Sequence, residues 1–492
     1  MRLSQLIEGD NIDVYGQAAP AEIEIRGITA DSRMVEPGWL FAALPGARAD
    51  GREFVAAAVK RGASAALVPA DTKIPELDRP IAILRDANPR RRLALMAARF
   101  HGLQPRVIAA VTGTNGKTST AEFTRQLWAR LGHRAASLGT LGVFTPEWTI
   151  QGSLTTPDPV ALHRQLADLV RGNIDHLAME ASSHGLDQFR LDGVKVSVAG
   201  FTNLSRDHLD YHATMAAYLA AKRRLFQELL VDNGAAVLNA DVAEFDDLAA
   251  ICRTRRLRVL SYGRKGKDIC LERATPGSSG QELVITLDGR RYALTFPVAG
   301  EFQAMNLLCA LGLVIGSGED PDRTLGAVSR LKGVRGRIEP AARRSNGATV
   351  YVDYAHTPDA LATVLTALRP HARGRLVVVF GCGGDRDRGK RPQMGAVAEQ
   401  LADLVIVTDD NPRGEQPAAI RAEILAACRR AREIGDRAAA IKAAIEQLAA
   451  DDLLVIAGKG HESGQIIAGE TLPFDDAEVA RAAVAALEGH AP

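Results

Sequence analysis

The chain has 492 residues, 46% of them hydrophobic and 24% charged, and a formal net charge of +1 at pH 7. That length exceeds what one hydrophobic core supports and points to about three domains. The near-neutral charge excludes an electrostatic case for nucleic acid or an anionic membrane as partner. Five cysteines, at 252, 270, 309, 382 and 428, form no C-x-x-C pair. The first residues, MRLSQLIEGD, lack the apolar centre of a signal peptide, and no apolar run approaches a membrane span. A cytoplasmic protein with reduced thiols is the expectation.

Residues 1–103 read as a small α/β domain. Strands are expected at Glu22–Ile28, Trp39–Ala43, Ala65–Val68 and Ile81–Leu84, with helices at Glu53–Arg61 and near Asn88–His101. The segment Thr29-Ala30-Asp31-Ser32-Arg33 suits a turn or helix cap. Gly102-Leu103-Gln104-Pro105 marks a boundary.

Residues 104–335 alternate strands and helices in the manner of a mostly parallel sheet. Strands are expected at Val107–Val111, His176–Met179, Val196–Phe201, Ala235–Leu238 and Val259–Tyr262. After the first of these, Gly113, Thr114, Asn115, Gly116, Lys117, Thr118 and Ser119 form a glycine-rich turn running into a helix. Such a turn cradles phosphate: glycines let backbone N–H groups approach an anion, and the helix N-terminus adds positive potential. Lys117 then serves the β/γ-phosphates and the Thr118 hydroxyl reaches Mg²⁺. The usual GxxxxGK[ST] spacing would put its first glycine on Val111, so this loop is a shorter variant.

The polar clusters Leu154–Pro157, Glu180–His184 and Thr202–His208 fall beyond strand ends, where ligands of such sheets gather. Glu180 and His208, expected at the ends of adjacent strands, suit a divalent cation; a helix cap and a packed turn are the alternatives. Lys222 lies on an amphipathic helix and, by spacing alone, is a solvated lysine. Glu282–Leu287 and Arg291–Phe296 flank Asp288-Gly289 as a hairpin, and an apolar helix within Ala299–Leu313 carries Asn306.

Residues 336–492 repeat the alternation, with strands at Val350–Asp353, Leu376–Phe380, Leu404–Val407 and Leu453–Ile456. Each ends in a polar loop, which describes a second doubly wound, Rossmann-like domain with a binding edge. Asp353 and His356 close the first of these strands, and Arg337 sits at the domain boundary, where a surface arginine is the alternative reading. Arg386 and Arg413 lie on loops after strands and could each grip a carboxylate with two N–H groups.

Taken together, EASSHGL (180–186), FTNLSRDHLDYH (201–212), YLAAKRRLF (218–226), MNLLCA (305–310), GRIEP (336–340), DYAHTPDAL (353–361) and DNPRGE (410–415) resemble the signatures of the Mur ligase family of bacterial cell-wall synthesis. The shortened phosphate loop is a trait of that family. Ile338 and Ser463 stand where its usual wording has Met and Asp. The resemblance implies three domains: residues 1–103 for a uridine nucleotide, 104–335 for ATP, and 336–492 for the incoming amine.

It implies an ATP-dependent ligase of peptidoglycan precursor synthesis. A glutamate γ-carboxylate on a UDP-N-acetylmuramoyl-dipeptide is activated as an acyl phosphate and attacked by an amine, releasing ADP and phosphate. By the same resemblance Thr118, Glu180 and His208 surround two Mg²⁺ sites. Lys222 carries a CO₂-derived carbamate and becomes a metal ligand. Asn306 meets adenine, and Arg337, Asp353 and His356 contact the nucleotide. Ser32 and Arg33 hold uridine, while Thr155, Thr156, Ser182, Gln188 and Arg190 hold the muramoyl-dipeptide.

Asp410, Asn411 and Arg413 resemble the form found in members that use meso-diaminopimelate, whose second carboxylate Arg413 can pair. Arg386, Gly458 and Glu462 complete that site. A monomer without nucleic-acid or membrane partners is expected. The alternatives are the same ligase using L-lysine, a relative that adds D-Ala-D-Ala or glutamates to folate, a P-loop kinase or NTPase, and a non-catalytic nucleotide-binding scaffold.

Overall fold

A computed structural model describes residues 1–10, 12–16, 19–46, 49–150, 152, 154–277 and 280–489. The chain forms two compact units, one of residues 1–262 with 309–324, the other of residues 263–308 with 325–492.

The first unit opens with β1 (Asp13–Tyr15), β2 (Gly27–Thr29), β3 (Trp39–Ala42), β4 (Ala65–Pro69) and β5 (Ala82–Asp86), in the sheet order β1-β5-β4-β3-β2. The strand expected over Glu22–Ile28 is confined to its last two residues plus Thr29. Before Gly27 the backbone bonds instead to the N-terminal residues, Leu3 N–H donating to Ile23 O and Ile25 N–H to Met1 O. The helix Pro89–His101 follows, its N-terminus capped by the Asn88 side chain and begun by proline.

A larger sheet comes next, from β6 (Val107–Thr112), β7 (Ala135–Gly139), β8 (Gly142–Phe144), β9 (Thr149–Ile150), β10 (His176–Glu180), β11 (Val196–Phe201), β12 (Leu230–Asn239) and β13 (Arg258–Gly263). Its order within this unit is β9-β8-β7-β10-β6-β11-β12-β13. From β7 to β13 every adjacent pair is parallel. β6 is buried along its whole length, as suits a central strand covered on both faces. β7, with the sequence Ala-Ala-Ser-Leu-Gly, lacks β-branched residues and so carries no local strand signal.

The order corrects one expectation. Glu180 and the loop to His208 follow β10 and β11, which are not neighbours: β6 lies between them and pairs with both. The phosphate-loop strand thus separates the two proposed ligands instead of flanking them.

In the second unit β14 (Ile269–Gly277), β15 (Gly280–Leu287) and β16 (Arg290–Phe296) form an antiparallel meander, the expected hairpin plus one strand. The remaining strands are β17 (Glu339–Arg343), β18 (Thr349–Asp353), β19 (Leu376–Phe380), β20 (Leu404–Val407), β21 (Arg432–Glu433) and β22 (Leu453–Ala457), in the order β17-β18-β22-β19-β20-β21. All pairs but β17–β18 are parallel, so the loops after β18, β19, β20 and β22 share one edge. A hairpin of β23 (Gly464–Ile467) and β24 (Glu470–Pro473) follows. Among the described residues no helix is long and apolar enough to cross a membrane.

Candidate active site

The phosphate loop runs into a helix whose N-terminus no side chain caps. The helix Lys117–Leu131 starts at Gly116 with φ 87° and no side chain capping its N-terminus. The helices beginning at Pro89, Pro159 and Met215 are capped by Asn88, Asp158 and Thr214. The positive end of the helix dipole at Gly116 favours an anion. Gly113, at φ 147°, must be glycine, because a Cβ there would lie 1.9 Å from Thr202 Oγ1.

The loop after β11 holds this turn in shape. Thr114 N–H donates to Asn203 O at 2.9 Å, Asn115 N–H to Asn203 Oδ1 at 2.9 Å and Thr202 Oγ1 to Asn115 O at 2.6 Å. Thr114 Oγ1 accepts from Ser205 N–H at 2.9 Å and from the Tyr218 hydroxyl at 3.3 Å. Thr202, Asn203, Ser205 and Tyr218 are therefore site-shaping residues that the sequence reading assigned no role. Their signal in the sequence is their place within FTNLSRDHLDYH (201–212) and YLAAKRRLF (218–226).

Two lysines converge inside the loop. Lys117 Nζ donates to Gly113 O at 3.0 Å and to Thr114 O at 2.8 Å, and Lys222 Nζ donates to the same Gly113 O at 2.8 Å. Lys222 is 1% exposed, which overturns the solvated lysine that helical spacing suggested. Its Nζ also lies 4.2 Å from the Tyr218 ring centroid. Burial, and then the nearby Lys117 ammonium, push the Lys222 amine well below its usual value against a weak opposing pull from Asp207.

Glu180 is buried, its Oε1 accepting from Thr140 N–H at 2.7 Å and its Oε2 from Thr140 Oγ1 at 3.3 Å. It packs on Gly139, where a Cβ would come within 2.1 Å of Oε1. His208 stands on left-handed backbone, φ 53°, at the start of the short helix Leu209–His212. It joins a ring cluster, 4.9 Å from His184 and 6.1 Å from Tyr218 between centroids.

Five residues assigned to the dipeptide form one network beside Glu180. Thr156 Oγ1 donates to Glu180 O at 3.0 Å and accepts from Ser182 N–H at 3.1 Å. Arg190 Nη1 donates to Thr156 O at 2.7 Å and its Nη2 to Gln188 Oε1 at 2.7 Å. Thr155 Oγ1 lies 3.0 Å from Thr140 Oγ1. Ser32 and Arg33 sit apart from this network in the short helix Ser32–Met34, where Arg33 is paired with Asp31 at 2.7 Å and exposed.

In the second unit the nucleotide-assigned residues form a chain of contacts. Asn306 Nδ2 donates to Gln303 Oε1 at 3.0 Å, and Gln303 Nε2 to Arg337 O at 3.2 Å. Asp353 accepts from Ile338 N–H at 2.7 Å and Ala355 N–H at 2.8 Å. Burial pushes its carboxyl up to about 6 in spite of the Arg337 guanidinium and those two N–H groups. The guanidinium of Arg337 stands 4.7 Å over the Tyr354 ring, and His356 Nδ1 lies 2.9 Å from Tyr354 O.

The loops after β19, β20 and β22 bring the amine-assigned residues together. Arg413, on left-handed backbone with φ 53°, donates its N–H to Ile466 O at 3.0 Å and its Nη1 to Gly384 O at 2.9 Å. Gly384 allows this approach, since a Cβ there would fall 1.8 Å from Pro412 O. A Cβ on Gly458 would meet Asp410 Oδ2 at 2.6 Å. Arg386 is exposed and donates to Asp385 O at 3.1 Å.

Glu462 and Asn411 are joined directly, Asn411 Nδ2 donating to Glu462 Oε2 at 2.8 Å, and also through Lys459, a residue to which the sequence assigns no role. Its wholly buried Nζ donates to Asn411 Oδ1 at 3.1 Å, Glu462 Oε2 at 3.0 Å and Gly464 O at 2.6 Å. Beneath these loops, Arg437 and Asp476 form a fully buried ion pair at 2.7 Å, and Arg437 also donates to Ala457 O at 3.0 Å.

The parallel strands around the phosphate loop, the helix that follows it and the loop edge of the second unit describe a nucleotide-dependent enzyme. The chain belongs to the Mur ligase family. Family descriptions match three stretches: "Mur ligase family, catalytic domain" at residues 24–102, "Mur ligase middle domain" at 111–314, and "Mur ligase, glutamate ligase domain" at 336–460.

The chain is 54% identical over 492 residues to the UDP-N-acetylmuramoyl-L-alanyl-D-glutamate–2,6-diaminopimelate ligase of Bradyrhizobium diazoefficiens, covering 99% of each chain. It is 53% identical over 470 residues to the protein of the same name from Caulobacter vibrioides, covering 94% of this chain and 96% of that one. A solved structure of a UDP-N-acetylmuramoyl-L-alanyl-D-glutamate–2,6-diaminopimelate ligase matches with a TM-score of 0.74 at 34% identity, over 99% of both chains. MurF from Acinetobacter baumannii shares the fold, with a TM-score of 0.63 at 20% identity over 93% of this chain and 94% of that one.

Proposed function

We propose that this chain is a cytoplasmic ATP-dependent ligase of peptidoglycan precursor synthesis. It joins meso-2,6-diaminopimelate to the glutamate γ-carboxylate of UDP-N-acetylmuramoyl-L-alanyl-D-glutamate. The observation that carries the reading is the buried Lys222 amine on the phosphate-loop carbonyl of Gly113, beside Lys117. A simple P-loop kinase has use for Lys117 alone. The likeness to ligases so named over 99% of both chains supports the choice of substrates.

In this reading Gly113–Ser119 cradle the triphosphate and Lys117 neutralises charge on the transferring phosphoryl group. The γ-carboxylate attacks the γ-phosphorus of ATP to give an acyl phosphate and ADP. The substrate amine then adds to the carbonyl carbon, and the tetrahedral adduct expels phosphate to leave the amide. Asn306, Arg337, Asp353 and His356 serve the nucleotide from the second unit. Thr155, Thr156, Ser182, Gln188 and Arg190 position the dipeptide, and Ser32 and Arg33 the uridine. Asp410, Asn411, Arg413, Arg386, Gly458 and Glu462 hold the amine substrate, with Arg413 matched to its distal carboxylate.

Thr118, Glu180 and His208 would hold Mg²⁺, which supplies further charge neutralisation at the phosphates. A protonated Lys222 would repel such an ion. The buried, readily neutral amine instead suits condensation with CO₂, in which R–NH₂ and CO₂ give R–NH–COO⁻ and a proton. That carbamate converts a cation into an oxygen ligand. The fit rests on the burial of Lys222 and the lack of any side-chain carboxylate bonded to it among the described residues.

An ADP-release assay tests the reading. ADP should appear only when the muramoyl-dipeptide nucleotide and meso-diaminopimelate are both present, with an equal amount of amide. Equal turnover with L-lysine would remove the amine assignment and leave the ligase. Phosphate release without amide would favour the NTPase reading.

A further inference from the structure

We propose that His133, Asp175 and His176 form a binding site for a late first-row divalent ion, of which Zn²⁺ is the type, at the opposite end of β10 from Glu180. These three residues each offer one ligand atom, and the three atoms lie within 4.8 Å of one another. Among the described residues no other trio of His, Cys, Asp and Glu meets that condition. His176 is the first residue of β10 and Glu180 its last. Four residues of strand put the two ends about 13 Å apart, so this is separate from the phosphate-loop metal sites.

The backbone beneath the cluster is held in place from both sides. Asp175 N–H and His176 N–H both donate to Arg134 O, at 3.1 and 3.4 Å, and Asp175 O accepts from Val107 N–H at 3.1 Å. His133 N–H donates to Trp128 O at 3.0 Å, closing the helix Lys117–Leu131. The rings of His133 and His176 lie 4.0 Å apart between centroids, tilted by 36°, and the Trp128 ring lies 4.9 Å from His176.

Each imidazole has a carboxylate on one nitrogen. His176 Nδ1 lies 2.9 Å from Asp175 Oδ1, and His133 Nε2 lies 2.8 Å from Glu319 Oε1. For His133, whose Glu319 partner stands outside the trio, this is the arrangement that orients a metal-binding histidine and raises its basicity. The Arg134 guanidinium does not occupy the site, since it bonds to Asn173 O and Glu147.

Two imidazoles and a carboxylate select the ion. Nitrogen donors favour Zn²⁺, Co²⁺ or Ni²⁺ over Mg²⁺. Three protein ligands leave a fourth tetrahedral position for water. Ligand atoms on a tetrahedral Zn²⁺ stand about 3.4 Å apart, so binding would draw these side chains inward by about 1 Å. Asp175 and His133 are on the rim, with side chains 43% and 24% exposed, and can make that shift. The occupied site would tie the end of the Lys117–Leu131 helix to β10.

The test uses full-length, chelator-treated protein without a histidine tag. Zn²⁺ is titrated by calorimetry in millimolar Mg²⁺, and Co²⁺ by its visible absorption. His133→Gln and Asp175→Asn are compared with wild type, since both side chains are partly exposed and the folds should survive, as metal-free unfolding midpoints would show. Wild type should bind one more equivalent of Zn²⁺ than either variant, with micromolar or tighter affinity. Only wild type should give a tetrahedral Co²⁺ spectrum at that stoichiometry. No saturable Zn²⁺ binding by wild type, or the same stoichiometry and affinity in both variants, would overturn the proposal.

Discussion

The Lys222 Nζ lies 2.8 Å from Gly113 O, the same oxygen that accepts from Lys117 at 3.0 Å. Two lysines on one phosphate-loop carbonyl would be wasteful in a loop that only bound ATP. One of them is buried where its charge is costly. Replacing Lys222 therefore separates chemistry from folding. Lys222→Ala should lower the ADP-release rate by about 100-fold or more and be partly restored by a small added carboxylate. Lys222→Met should unfold at the same temperature as wild type or higher, because an amine held below its usual value no longer has to be buried.

The same residue has a pH signature. Its amine is harder to protonate in the folded chain, so between the folded value and the unfolded value of about 10.4 the unfolded chain carries more protons. Stability should rise with pH across that window. Denaturant midpoints measured at rising pH should show this rise in wild type and lose part of it in Lys222→Met.

Asp353 has the opposite sign. Its carboxyl is raised from 3.8 to about 6, so between those values the folded chain holds the extra proton. The stabilisation is fully present below pH 4 and is lost as pH rises through 6. Urea midpoints of Asp353→Asn should depend less on pH than those of wild type between 4 and 7, by up to about 3 kcal/mol in unfolding free energy. Identical pH slopes would show that the carboxyl is ionised throughout.

Lys459 binds three acceptors from full burial, and two belong to residues assigned to the amine substrate. Lys459→Met would take one donor from each of Asn411 Oδ1, Glu462 Oε2 and Gly464 O, leaving Asn411 Oδ1 with Ile466 N–H and Glu462 with Asn411 Nδ2, and would remove the buried cation that neutralises Glu462. We expect a loss of about 2–3 kcal/mol in stability and a raised KM for meso-diaminopimelate, with KM for ATP little changed. Equal changes in both KM values would point to general unfolding instead.

Gly384 offers a test with no charge involved. Gly384→Ala places a methyl group 1.8 Å from Pro412 O and must push the loop carrying Arg413 away. The amine KM should rise at least tenfold while nucleotide binding by the first unit, followed by fluorescence titration, is unchanged.

The sequence by itself determined the parts whose physics is local. The β6 strand, the Gly113–Thr118 turn and the following helix are contiguous, so hydrophobic run, glycines and helix signal identify them without knowledge of anything distant. The strands Leu376–Phe380 and Leu404–Val407 appear where expected, because buried β-branched runs carry their own strand signal. Weak strands such as β7, made of small residues, do not.

Only the tertiary structure decided the environments. Lys222 reads as solvated on its own helix and is buried because Gly113 and Tyr218, more than a hundred residues and four residues away, close over it. Strand order put β6 between the Glu180 and His208 segments, which no reading of one strand at a time could show. Lys459 has no signal of its own in the sequence, and its role exists only because Asn411, 48 residues away in sequence, lies within 3.1 Å. Burial and charge pairing depend on contacts distant in sequence, and those exist only once the sheets have formed.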